Sequence, residues 1–247
     1  WTLTGHSDSV LSLAMSGDTL VSGSLDNTIK LWSLTSRECV WTLTGHSASV
    51  RSLAVSGNTL ASGSGDKTIK LWSLTTRACL ATLAGHSDGI KALAMSGDTL
   101  ASGPEDKTIK LWSLASRECL GTLTGHRDSV LSVAVSGDTS ASGSRDDTIK
   151  LWSLTSREFL GTVTGHSASV LSLAMSGDTL VSGSWDNTIK LWSLTSRECL
   201  GTLTGHSDSV LSLAVSGDTL ASGSEDDTIK LWVNVDRPRL DQTIEHY

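Results

Sequence analysis

The sequence contains no apolar run near the ~20 residues that a membrane-spanning helix requires. It has only two prolines, one tyrosine and one phenylalanine, and no stretch follows the 3.6-residue period of an amphipathic helix. Acidic residues outnumber basic ones by 26 to 19, which gives a net charge of −7. Non-specific nucleic-acid binding needs clustered Lys and Arg. These absences argue against a membrane-embedded, a helical or a nucleic-acid-binding protein.

The sequence consists almost entirely of one 40-residue unit that returns six times without a slip in spacing. Each copy has a histidine near its start and a tryptophan near its end. The pairs are His6/Trp32, His46/Trp72, His86/Trp112, His126/Trp152, His166/Trp192 and His206/Trp232. The six copies fill 240 of the 247 positions. A fixed period of this kind indicates one repeat architecture rather than two unlike domains.

Each copy is predicted to form four short strands separated by turn residues. In the first copy these are Thr2–Thr4, Val10–Met15, Thr19–Ser22 and Thr28–Ser33, with Ser16-Gly17-Asp18 as a hairpin signal. The region near Cys39–Leu43 is predicted to be the opening strand of the next copy. A four-stranded sheet that is apolar on both faces cannot bury both alone. Six such sheets stacked radially bury one another's faces. The sequence therefore predicts an all-β fold, a β-propeller of six four-stranded antiparallel blades.

The domain boundaries follow from the repeat. Residues 1–235 are predicted to form the propeller, and residues 236–247 an irregular tail or a decayed outer strand. We expect the N-terminal strand, Trp1–Thr4, to complete the last blade and close the ring. The sequence starts within a repeat and without an initiator methionine. We therefore expect it to be part of a longer polypeptide.

The four cysteines share one position of the repeat. They are Cys39, Cys79, Cys119 and Cys199, and Phe159 and Arg239 take that position in the other two copies. Replacement by phenylalanine predicts a buried apolar site. No C-x-x-C pair or neighbouring histidine accompanies the thiols, so we expect no metal ion and no cofactor. Reduced thiols are typical of a non-oxidising compartment, which predicts a cytoplasmic location.

The order Gly-His, Ser-Gly-Ser-x-Asp and Thr-Ile-Lys-Leu-Trp within each copy resembles the WD40 repeat family over nearly the whole chain. Two departures are visible in the first copy. The dipeptide that names the family is Trp32-Ser33, and the hairpin at Ser16–Thr19 is shorter than the usual family loop. WD40 proteins most often form seven-bladed rings. A missing blade therefore remains the alternative to a complete ring of six.

Every copy also carries a histidine, a serine and an aspartate, the residue types of a serine-hydrolase triad. Six equivalent sets indicate a structural network rather than one active site, so we expect no enzymatic activity. The resemblance implies that the three side chains and the tryptophan are hydrogen-bonded inside each blade. Two such sets are His6, Ser22, Asp26 and Trp32, and His86, Ser102, Asp106 and Trp112.

Partner specificity is expected where the copies differ. The position before the turn aspartate varies most, and it is occupied by Leu25, Gly65, Glu105, Arg145, Trp185 and Glu225. The resemblance implies that the Gly-His loop and the Asp turn lie on one rim that binds partners. We hypothesise a contact arc of Glu105, Arg145, Trp185 and Glu225, with Arg51 and Lys91 contributing from the first two blades. The alternative is neutral drift at permissive loop positions.

The sequence thus favours a non-catalytic scaffold that binds other proteins or peptides on the propeller rim. One alternative is a recognition module for a short charged or modified peptide. Another is a recently amplified fragment of a larger protein with no dedicated partner. We expect a monomer that binds neither nucleic acid nor membrane. Association through a spare strand edge near the tail is the remaining route to an oligomer.

Overall fold

The computed structural model describes residues 2–233, and all regular secondary structure in this range is β-strand. The first sheet contains β1 (Val10–Ser16), β2 (Thr19–Ser24), β3 (Ile29–Ser33) and β4 (Cys39–Leu43). Its strands follow one another in chain order, and each neighbouring pair is antiparallel. We call each such sheet a blade and number the blades 1 to 6 along the chain.

Blades 2 to 6 repeat this meander. Their strands are β5 (Val50–Ser56), β6 (Thr59–Ser64), β7 (Ile69–Ser73) and β8 (Cys79–Leu83); β9 (Ile90–Ser96), β10 (Thr99–Pro104), β11 (Ile109–Ser113) and β12 (Cys119–Leu123); β13 (Val130–Ser136), β14 (Thr139–Ser144), β15 (Ile149–Ser153) and β16 (Phe159–Val163); β17 (Val170–Ser176), β18 (Thr179–Ser184), β19 (Ile189–Ser193) and β20 (Cys199–Leu203); and β21 (Val210–Ser216), β22 (Thr219–Ser224) and β23 (Ile229–Val233).

The turns of the meander use residues suited to positive φ. In blade 1, Ser16 pairs with Thr19 across a two-residue hairpin, and Gly17 has a φ of 54°. Positive φ at the first central residue alone is what a type II′ turn requires, and glycine adopts it without steric cost. The next turn places Asn27 at a φ of 67°. Asparagine tolerates this left-handed region better than most side chains.

The chain divides into two compact units, residues 1–124 with blades 1 to 3 and residues 125–247 with blades 4 to 6. Within each unit, consecutive blades pack face to face. Between blades 1 and 2, one cluster joins Ile29 and Leu31 to Leu60 and Trp72. Equivalent clusters join blades 2 and 3 in the first unit, and blades 4 to 6 in the second. The core is therefore a series of apolar layers between sheets.

The predicted fold class, an all-β propeller of six antiparallel blades, is confirmed. Closure by the N-terminal strand is not confirmed. Thr2–Thr4 is not part of a strand, and blade 6 contains three strands among the residues that the structure describes. The predicted boundary at residue 235 and the decayed outer strand of residues 236–247 lie outside the described residues.

The prediction that the cysteine position is buried was wrong. All four cysteines are free and exposed, and Phe159 at the same position is 54% exposed. The reason is that this residue opens the outermost strand of its blade, and the first three residues of that strand in blade 1 are all exposed. The last residue of that strand, such as Leu43, is the one that reaches the core. Phe159 still gains an edge-to-face contact with Trp152, at 5.4 Å between ring centroids.

Candidate protein-interaction rim

In each blade, the side chains of the repeated Trp, Ser, His and Asp residues form one hydrogen-bonded network. In blade 1, the indole N–H of Trp32 donates to Ser22 Oγ at 2.8 Å. Ser22 Oγ lies 2.7 Å from His6 Nε2, and His6 Nδ1 lies 2.7 Å from Asp26 Oδ2. The other blades repeat these contacts at closely similar distances, including His86, Ser102, Asp106 and Trp112 in blade 3.

The order of these contacts, carboxylate to imidazole to hydroxyl, is that of a serine-hydrolase triad. The environment differs from that of an active site in one decisive respect. Ser102 is fully buried, and its Oγ already accepts the indole N–H of Trp112. A nucleophile needs an exposed hydroxyl beside a substrate cleft. The arrangement therefore gives each of its buried polar groups a hydrogen-bond partner. A buried polar group without a partner would destabilise the stacked sheets.

Burial and hydrogen bonding set the charge states of the His and Asp side chains in this network. Burial lowers the pKa of four of the imidazoles, although the adjacent carboxylates oppose it; these are His46, His86, His126 and His166. Burial raises the pKa of the Asp66 carboxyl, but hydrogen bonds from Thr68 and His46 outweigh it and lower the pKa to about 2. An ionised carboxylate only accepts hydrogen bonds, so Nδ1 of a neutral His46 donates to Asp66.

The aspartate also fastens the two loops that form the edge of the blade. Asp26 Oδ2 accepts the backbone N–H of Ser7 at 3.0 Å, and Oδ1 accepts the N–H of Thr28 at 2.9 Å. A backbone bond from Leu25 N to Ser9 O, 2.9 Å long, joins the same loops directly. We call this edge of each blade, formed by the Gly-His loop and the Asp turn, the rim. The buried network therefore holds the surface on which the copies differ.

Three of the predicted contact residues meet on the rim of the first unit. Lys91 Nζ lies 2.9 Å from Glu105 Oε1, and Arg51 Nη1 lies 3.7 Å from the same oxygen. All three side chains are about one-third exposed. Arg51 lies in blade 2 and Lys91 in blade 3, so their predicted assignment to the first two blades was one blade too early. The side chains form a charge cluster that crosses from one blade to the next.

Two more predicted residues meet in the second unit. The guanidinium carbon of Arg145 in blade 4 lies 5.9 Å from the ring centroid of Trp185 in blade 5. Trp185 is 47% exposed, although large aromatic side chains usually bury most of their surface. Glu225 occupies the same loop position in blade 6 and is exposed. Of the six predicted residues, Glu105, Arg145, Trp185 and Glu225 thus lie in Asp turns on the rim, whereas Arg51 and Lys91 lie in the strands that follow the Gly-His loops.

Sequence reasoning missed two rim residues that link neighbouring blades. Lys67 Nζ donates to the carbonyl oxygen of Ser87 at 2.9 Å, and Asn187 Nδ2 donates to that of Ser207 at 3.2 Å. Both follow the turn aspartate, at a position whose variation was visible in the sequence. Nothing in the sequence showed that a side chain there reaches the next Gly-His loop.

The described residues also bear on a metal site and on a membrane-spanning helix. No three His, Cys, Asp or Glu side chains within residues 2–233 are placed to share a metal ion. In the same range there is no helix of the length and apolar character needed to cross a membrane.

Comparisons with known proteins agree with this architecture. The WD40 family, described as "WD domain, G-beta repeat", matches residues 1–33, 37–73, 77–113, 117–153, 157–193 and 197–233. Among solved structures, the computationally designed Ika8 protein is 33% identical with a TM-score of 0.83, over 93% of this chain and 72% of that one. U3-55K is 27% identical with a TM-score of 0.87, over 94% and 79%. The search of curated proteins found no match.

WD40 propellers generally serve as non-catalytic scaffolds that bind other proteins or peptides. With six matches that span nearly all of its length, the chain belongs to the WD40 repeat family.

Proposed function

We propose that this chain is a non-catalytic scaffold that binds a partner protein through its rim, with Arg145 and Trp185 at the centre of the contact. The observation that carries the proposal is the exposure of Trp185. Its ring is 47% exposed in a loop where the other copies have Leu, Gly, Glu or Arg. An exposed tryptophan has no packing role there, and tryptophan and arginine are the types most enriched at interface hot spots.

The position of Arg145 beside the ring supports the same conclusion. A guanidinium over an aromatic face is attracted by its quadrupole, by about 0.5–1 kcal/mol at an exposed site. The contact limits the rotamers of both side chains, so less conformational entropy is lost when a partner binds. The pair thus offers a preorganised, amphipathic surface.

The charge cluster of Arg51, Lys91 and Glu105 serves a different purpose in this proposal. Its members compensate one another within about 4 Å and remain partly exposed. Partly exposed charges at an interface contribute more to orientation and association rate than to affinity. We assign specificity to this cluster and most of the binding energy to the Trp185 region.

The test is affinity capture with three forms of the chain from a lysate of the cells that encode it. One is the native chain and one carries Arg145→Ser, Trp185→Ser and Glu225→Ser. The third is a matched control with Trp41→Ser and Leu80→Ser, which removes exposed apolar side chains from outer strands. Circular dichroism and melting curves establish equal folding. We expect the native and control forms to retain a protein that the triple variant loses.

If all three forms retain the same proteins, or none, the proposal is wrong and the rim differences are neutral. A retained protein also permits a second step. Competition by a short charged or modified peptide taken from that protein distinguishes peptide recognition from recognition of a folded surface.

A further inference from the structure

The contact between consecutive blades is asymmetric. In blade 1, Ile29 and Leu31 lie on the face toward blade 2, and they pack against Leu60 and Trp72 on the opposing face. We call the face with Ile29 and Leu31 the forward face, and the face with Leu60 and Trp72 the backward face. Every junction inside a unit therefore joins one forward face to one backward face.

At each junction inside a unit, a glycine of one blade faces a β-branched residue of the next. A Cβ built on Gly23 of blade 1 would lie 2.6 Å from Cγ1 of Val50 in blade 2. The same relationship joins Gly63 to Ile90, at 2.5 Å from Cγ2. It recurs between Gly143 and Val170 and between Gly183 and Val210 in the second unit. The forward face thus carries a socket at the glycine, and the backward face carries a side chain that fills it.

The backward face of blade 1 is open to solvent. Val10 is 50% exposed, whereas its counterpart Val50 is fully buried. Leu13 and Met15, whose counterparts in blade 2 pack against the core, are also exposed. A cavity of about 340 Å³ lies on this face, and Val10, Leu13 and Trp32 are among its lining residues. A contiguous apolar surface of this kind is typical of an interaction site.

The forward face of blade 6 is open as well. Ile229 is 78% exposed, whereas its counterpart Ile29 is 1% exposed. Leu231 beside it is also exposed. At Gly223, a Cβ would lie 2.6 Å from Ser212 Oγ, and no β-branched side chain within residues 2–233 fills the socket as it does in the internal blades. Blade 6 therefore presents an unfilled socket surrounded by apolar side chains.

We propose that a second copy of this chain covers these faces, with the backward face of blade 1 of one copy docked on the forward face of blade 6 of the next. The internal junctions show that the two kinds of face are complementary, because the same residue types meet there with the core side chains buried. Val10 has the same side chain as Val50, and Gly223 corresponds to Gly23. Docking of two copies would thus repeat an interface that the fold already contains.

The proposed contact uses two different surfaces and is heterologous. Such contacts form a closed ring where the rotation between copies permits it, and an open chain of molecules where it does not. This arrangement can be recognised experimentally, because a substitution that blocks one face of a molecule prevents association through that face alone. Two molecules blocked at opposite faces can still join once.

The test measures molar mass by sedimentation velocity over a wide range of protein concentrations. Val10→Asp blocks the backward face and Ile229→Asp blocks the forward face, and both residues are at least half exposed in the single chain, so neither change disturbs the core. Leu25→Asp adds the same charge at an exposed loop position and is the control. We expect the wild type and Leu25→Asp to exceed 25.9 kDa as concentration rises, and each face variant alone to stay at 25.9 kDa.

An equimolar mixture of the two face variants is the decisive sample. We expect it to form a species of twice the single mass and nothing larger. The proposal is overturned if the wild type stays at 25.9 kDa at all concentrations. It is also overturned if one face variant alone associates as the wild type does, because that face would then pair with itself. If a chain ending at Val233 associates and the full chain does not, the segment after Val233 is the occupant instead.

Discussion

Val50 of blade 2 lies directly over Gly23 of blade 1, so that a Cβ on this glycine would be 2.6 Å from Val50 Cγ1. Gly63 and Ile90 have the same relationship at 2.5 Å. Because real Cβ atoms do not approach so closely, the absence of a side chain sets the spacing between neighbouring sheets. Glycine is required at these positions by the proximity of the next blade rather than by a turn.

We therefore expect Gly63→Ala to destabilise the protein by about 1–3 kcal/mol, since Ile90 and its sheet must move. Gly223→Ala is the matched control, because no side chain of another blade lies against it in the part of the chain that the structure describes. In dilute protein it should change the free energy of unfolding by less than about 0.5 kcal/mol. Urea denaturation followed by tryptophan fluorescence measures both. Equal effects of the two substitutions would contradict the spacing argument.

Ser140 stands at a position that the other copies fill with leucine, such as Leu60, Leu100 and Leu180. It is fully buried, and its Oγ has no hydrogen-bond partner among the described residues. Burial of an unpaired hydroxyl costs about 1–3 kcal/mol, and the missing leucine volume adds to that cost. We expect Ser140→Leu to raise the free energy of unfolding by at least about 2 kcal/mol in urea denaturation. Ser140→Ala separates the two contributions, because it removes the hydroxyl without adding volume. A destabilised leucine variant would show that the site has no room for the side chain.

The turn after β10 holds Lys107 at a φ of 70°, while the turn after β2 holds Asn27 at 67°. A left-handed backbone is strained for lysine and tolerated by asparagine. We expect Lys107→Asn to stabilise the protein by about 0.5 kcal/mol. The reciprocal change, Asn27→Lys, should destabilise it by a similar amount. Calorimetric melting temperatures of the two variants should move in opposite directions. A shift in the same direction would show that backbone strain at this turn is not the controlling factor.

The buried imidazoles predict loss of stability in acid. Their pKa values lie below the 6.5 of an ordinary histidine, so below about pH 6.5 the unfolded chain binds protons that the folded chain does not. Each such group therefore lowers the free energy of unfolding by up to about 1.4 kcal/mol per pH unit. Below about pH 3.8, Asp66 and Asp146, each with a pKa of about 2, add to the loss in the same direction. Chemical denaturation at a series of pH values from about 8 to about 5 measures the slope.

His46→Gln with His126→Gln provides the control for this prediction. The double variant removes two of the titrating groups, so it should be less stable at neutral pH but lose stability less steeply in acid. A slope unchanged from the wild type would show that other groups titrate in this range.

The sequence was sufficient for the elements that depend on one copy alone. The apolar run Val10–Met15 and the Ser16-Gly17-Asp18 turn predicted the β1–β2 hairpin, because both signals are local. The types and spacing of the His, Ser, Asp and Trp residues, together with the family resemblance, likewise pointed to the chain of hydrogen bonds that the structure contains.

Features that depend on a neighbouring blade could not be predicted. Arg51 and Glu105 are 54 positions apart in the sequence, and they meet because successive rims lie side by side. The exposure of the cysteine position was missed because apolar substitution by Phe159 resembles a core pattern, whereas the ring packs on the outside of Trp152. Residues of the first and last blades are more exposed than identical residues of the internal blades. A local sequence pattern is the same in both places, so it could not predict this difference in exposure.

The repeat in the sequence and the sheet in the structure are out of phase by one strand. Residues 37–73, one complete match to the family, supply β4 to blade 1 and β5 to β7 to blade 2. Deletion of any 40 consecutive residues between two internal points joins the first part of one copy to the remainder of the next in the correct phase. Recombination between copies therefore changes the number of blades without leaving a partial sheet inside the chain.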